Sequence, residues 1–97
     1  MYDKVVRQIQ QMVRDGLLDR TSHINHALED DNLIYANIEA AILSGSVVER
    51  QNDWYSFEPK YVVHGYTDDG RYIAVVVRID EASGLLKAIT TFDLEED

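Results

Sequence analysis

At 97 residues, 45% hydrophobic and 28% charged, the chain has the size of one domain and the composition of an ordinary globular protein, which excludes the low-hydrophobicity, high-charge class of disordered chains. Nine Lys and Arg against eighteen Asp and Glu leave a net charge of -9, which opposes long-range attraction to nucleic-acid phosphates and anionic membranes and suits a basic protein partner better. The absence of cysteine excludes disulfides and thiolate metal sites.

In chain order, Val5, Val6, Ile9, Met12 and Val13 repeat at helical spacing and predict an amphipathic helix from Tyr2 to Arg14, stopped by Gly16. Thr21 and Ser22 are suitable N-caps for a two-turn helix over His23–Glu29, in which Ile24, Ala27 and Leu28 share a face. Asp30, Asp31 and Asn32 break it. A third helical stripe follows at Ile34, Ile38, Ala41 and Ile42 and is closed by Ser44 and Gly45. Val47 and Val48 suit an edge strand. The segment Gln51–Pro59 holds Trp54, Tyr55 and Phe57 without a clear period, as expected of a loop pinned by its rings or of a partner-binding patch.

The second half reads as a three-strand meander, Lys60–Tyr66, Arg71–Ile79 and Leu85–Phe92, because runs of β-branched and aromatic residues are separated by turns at Asp68–Gly70 and Asp80–Gly84. The expected class is therefore α+β, with two or three N-terminal helices packed on a C-terminal antiparallel sheet of three to four strands, all in one domain over residues 1–97. Alternation puts Ile73, Val75, Val77 and Ile79 on the helix-facing side and Tyr72, Ala74, Val76 and Arg78 on the other. A hairpin closing over Asp68 and Asp69 adds Tyr61 and Val63 to that second face. A five-residue second loop adds Ala88, Thr90 and Phe92.

Phosphate-binding glycine loops, nucleophile elbows and metal-spaced histidine sets are absent from the sequence. His23 and His26 stand three apart with no third ligand, so neither a metal nor any other cofactor is expected. The longest apolar runs are too short to span a bilayer, and Asp3, Lys4 and Arg7 interrupt the start, so the expected location is the cytoplasm. Tyr72, Arg78, Lys60 and His64 are the best candidates for acid-base work or phosphate binding, since cutting RNA needs a proton acceptor, a proton donor and a cation for the developing charge. Equally, they suit ordinary positions on an open sheet face. Arg71, next to the turn glycine, is expected in solvent.

The series Ser22-His23 opening a short helix, Ile34 to Gly45, Val47-Val48-Glu49, Tyr61 to Gly65, Asp69-Gly70-Arg71 before a valine-rich strand, and Ala88-Ile89-Thr90-Thr91-Phe92 resembles an uncharacterised bacterial family grouped with the RelE/ParE-like toxins. The first helix, Val5 to Gly16, is similar to the leading helix of the MqsR toxin. The resemblance implies a RelE-like architecture and a metal-independent ribonuclease toxin paired with a protein antitoxin. It matches Tyr72 to the aromatic position after the hairpin and His23 to the helix-opening histidine. The chain departs from the pattern at Ala27, where the family has an arginine, and at Asp93, where a basic residue often stands. Two functions are thus expected: an mRNA endoribonuclease of a type II toxin-antitoxin pair using Tyr72, Arg78 and His23, or a non-catalytic interaction module on the same fold.

Overall fold

The computed structural model describes residues 2–20, 24–52 and 58–95, with the backbone alone at 25–27. Helix α1 (Asp3–Arg14) buries Ile9 and Val13, while Val5, Val6 and Met12 pack at the core's border, as the stripe requires. It ends in a Schellman turn, in which the Gly16 N–H donates to Val13 C=O at 3.1 Å and the Leu17 N–H to Met12 C=O at 2.9 Å. Strand β1 (Leu18–Asp19) follows at once. Helices α2 (Asn25–Asp30) and α3 (Tyr35–Ser44) come next, and Asn37 Oδ1 accepts the Ile34 N–H at 2.9 Å at the start of α3. The expected caps Thr21 and Ser22, together with His23, Trp54, Tyr55 and Phe57, lie outside the described residues.

Strands β2 (Ser46–Gln51), β3 (Lys60–Tyr66), β4 (Tyr72–Asp80) and β5 (Leu85–Asp93) complete a sheet of order β1-β5-β4-β3-β2. The sheet is mixed and five-stranded, which corrects the expected antiparallel sheet of three to four strands: β1 runs parallel to β5, with Leu18 opposite Leu86. A two-residue strand carries no periodicity, so nothing in the sequence announces it. Ile73, Val75 and Val77 are buried in one core with Ile9, Ile24, Ile38 and Ile42, so the helices lie on the expected side of β4. The opposite side, called here the outer face, holds a smaller buried group of Val62, Ala74 and Val76, with Ile89 and Leu94 packed against it.

The registers correct the face assignments of the flanking strands. Tyr66 pairs with Tyr72, and the turn is Asp68-Asp69-Gly70 between the bonded pair Thr67 and Arg71, whose N–H···O=C distance is 2.8 Å. Gly70, at φ 87°, supplies the left-handed residue of this three-residue turn. One residue more in the loop than expected reverses every side chain of β3. Tyr61 and Val63 therefore face the helices, and Lys60, Val62, His64 and Tyr66 join the outer face. On β5, a bulge opposite Val76 and Val77 leaves Thr90 and Phe92 on the outer face but turns Ala88 inward, where it is buried.

Arg71 is half-buried rather than free in solvent. Its guanidinium donates to the Asp31 and Asn32 carbonyls at 2.8 and 3.5 Å, tying the turn to the corner between α2 and α3. The Thr67 hydroxyl donates to Asp69 and holds that carboxyl below its ordinary 3.8, against a smaller opposing effect of desolvation; the Ser83 hydroxyl, aided by Lys87, does the same for Asp80 in the second turn. Such groups add stability that is complete above 3.8 and is lost as pH falls through their lower folded values. Asp69→Asn should therefore lower the urea midpoint at about pH 6, and the gap from wild type should close by about pH 2.

Helix α3 crosses β3 at backbone contact. A Cβ on Gly65 would collide with the Ala41 carbonyl and stand 2.8 Å from its carbon, and one on Gly45 would lie 2.6 Å from the same oxygen and strike the His64 carbonyl. Both positions demand glycine because no flexible side chain can give way. Gly65→Ala should cost about 3 kcal/mol or more, or prevent folding, measured by thermal and urea unfolding.

Candidate functional site

The outer face is organised in rows across the strands, since residues directly opposite in a ladder share a side. At the end nearest the Asp68–Gly70 turn, His64, Ala74 and Phe92 form one row, and Tyr66 with Tyr72 forms the next. The Tyr66 and Tyr72 rings lie 4.7 Å apart and tilted by 33°, and the His64 ring meets Tyr72 edge-on at 5.9 Å and 85°. Tyr66 is 54% and Phe92 45% exposed, so this end presents rings to solvent. Neither was among the expected site residues. Their only signal in the sequence is an aromatic near a strand end, which the corrected register turns into a patch.

At the other end of the same face, Lys60, Arg78 and Lys87 form one row across β3, β4 and β5. Three of the chain's nine cations thus stand side by side at strand spacing, where like charges repel. Asp19 and Asp80 flank Lys87, at 3.8 and 3.5 Å from its Nζ, and offset part of that repulsion. The Nε of Arg78 is buried with no hydrogen-bond acceptor among the described residues. Between the two ends lies the row of Val62 and Val76, both buried.

The expected site residues therefore divide. Tyr72 is brought together with His64, and Arg78 with Lys60, but Tyr72 and Arg78 are six residues apart on one strand, roughly 20 Å at about 3.3 Å per residue. His23 lies outside the described residues. Described residues include no group of three or more His, Asp or Glu placed to hold a metal ion. The aromatic end can stack flat or apolar groups and carries an imidazole and a phenol, each able to hold a proton, while the cationic end can hold an anion.

Residues 21–93 match a family described as a domain of unknown function, DUF4258. The chain belongs to that family. The matched span takes in α2, α3 and strands β2 to β5, so the outer-face residues of β3, β4 and β5 lie in the DUF4258 domain, while α1, Asp19 and Leu94 fall outside it. No curated protein and no solved structure matches the chain. Among the described residues no helix is long and apolar enough to cross a membrane.

Tyr72 makes its contacts through its ring. Tyr72→Phe should leave the urea unfolding free energy within about 0.5 kcal/mol of wild type, whereas Tyr72→Ala, which removes the packing against His64 and Tyr66, should lower it by about 1–2 kcal/mol.

Proposed function

We propose that this domain is the toxin-like member of a type II toxin-antitoxin pair, of RelE/ParE-like architecture and cytoplasmic, and that it acts by binding through its outer sheet face. The reading draws on the resemblance carried by Ser22-His23, Val47-Val48-Glu49 and Asp69-Gly70-Arg71, and on a sheet that, among the described residues, has its helices on one side. The observation that favours binding over cleavage is the separation of Tyr72 from Arg78 along β4. Groups roughly 20 Å apart cannot act on one phosphodiester, because acid-base catalysis needs its members within hydrogen-bond reach of the same reacting atoms. They can contact one extended partner. Exposed rings at Tyr66 and Phe92 are the residue types that anchor protein interfaces, and the net charge of -9 favours a basic, antitoxin-like protein over RNA.

A second reading, mRNA cleavage, is favoured by the edge contact of His64 with Tyr72, which puts two groups able to carry protons side by side.

Expression in a bacterial host separates the two. Binding predicts growth arrest relieved by co-expressing the adjacent gene, intact reporter mRNA throughout, and a loss of partner affinity of about tenfold or more in the double variant Tyr66→Ala, Phe92→Ala. Cleavage predicts cut mRNA that becomes whole again with Tyr72→Phe. The absence of both growth arrest and a co-purifying partner would remove the toxin-like reading.

A further inference from the structure

On the helix side of the sheet, away from the outer face, a cavity of about 260 Å³ opens where the first half of α1 overhangs the ends of β3 and β4. Val5, Pro59, Tyr61 and Ile79 supply apolar walls and one aromatic ring, and Gln8, Glu58 and Glu81 supply the polar groups. The Glu81 N–H donates to Glu58 Oε2 at 3.0 Å, which anchors one carboxylate oxygen. Among the described residues no lysine or arginine lines the cavity.

The geometry points to a binding site for a guanidinium or ammonium group carried on a short aliphatic stem. Three features of the lining select that chemistry together. The walls are apolar and the volume is below the roughly 300–1,000 Å³ of pockets for drug-sized ligands, so one side-chain-sized stem fits. The two carboxylates, in a chain of net charge -9, favour a cation and reject an anion. Tyr61 offers a ring face or edge to the same cation, and Gln8 a neutral acceptor. A neutral ligand of the same shape would forgo the charge-assisted contact that these carboxylates offer a cation. The feature is thus an apolar cavity with an acidic mouth, and its ligand is an arginine-like or lysine-like group, from a partner protein or from a free amine.

The test uses the whole chain, isotope-labelled, titrated with butylguanidinium, with neutral butylurea of the same shape, and with a capped pentapeptide carrying one arginine between glycines. Butylguanidinium should saturate amide shifts confined to residues 58–61, 79–81 and 5–8, with a dissociation constant on the order of millimolar. Glu58→Gln and Glu81→Gln, which keep size and hydrogen-bonding oxygen, should each weaken it about threefold. A peptide that binds at least as tightly as butylguanidinium assigns the site to a partner's side chain, and a peptide that binds tenfold more weakly assigns it to a free amine. Butylurea binding as well as butylguanidinium, shifts that map to the outer face, or titrations unchanged in both glutamine variants would overturn the assignment. None of these outcomes bears on whether the outer face engages an antitoxin.

Discussion

The structure depends on how closely α3 can approach β3. With hydrogen in place of a side chain at Gly45 and Gly65, the Ala41 carbonyl rests against bare backbone, and the helix axis sits nearer the sheet than side-chain packing would allow. From that contact the rest is positioned. Ile38, Ala41 and Ile42 reach the inner sides of Val63 and Val75, and the carboxamide of Gln10 donates to the carbonyls of Ile42 and Gly45 at the end of α3 at 3.2 and 3.3 Å, which fixes α1 beside it. Helices held this tightly to one side leave the other side of the sheet without a helix among the described residues.

Much of this was legible in the sequence where one element carried the whole signal. The stripe from Val5 to Val13, the positions Ile38, Ala41 and Ile42, and the alternation Ile73-Val75-Val77 each state their buried face without reference to anything else, whereas Ile34, expected in the same stripe, caps the start of α3 and is 64% exposed. What failed was whatever lay in the relation between elements. Asp68-Asp69-Gly70 is a clear turn, yet whether it closes as a two- or three-residue loop is decided by the hydrogen bond of Thr67 to Arg71 and by the guanidinium of Arg71 reaching Asp31, forty residues back. That single residue of register moved Lys60, Val62, His64 and Tyr66 onto the face that carries Tyr72 and Arg78. The bulge at Ile89 did the same to Ala88. A strand of two residues, β1, is visible only once β5 is there to receive it.

The candidate site follows the same division. Residue chemistry nominated Tyr72, Arg78, Lys60 and His64, and alternation put the first two on one face, but alternation says nothing of distance along the strand. Six residues on β4 separate a ring cluster from a cation row, and only the ladder shows that Lys60 belongs with Arg78 and His64 with Tyr72. The cavity had no signal at all, because its walls come from α1, from residues 58–61 and from the end of β4.

Net charge, read as a single number, also hid an arrangement. A chain of -9 keeps three cations abreast on the outer face, where Asp19 and Asp80 hold Lys87, and sets Glu58 and Glu81 at a cavity on the opposite side. Repulsion across the cation row lowers stability unless something offsets it, and Asp19 and Asp80 do so at Lys87. A partner that brought a carboxylate to Arg78 while laying an apolar group on Tyr66 and Phe92 would relieve that repulsion and cover the rings in one contact. The two ends of the face would then select one partner by both its charge and its reach, since roughly 20 Å of extended chain or about four turns of helix spans them.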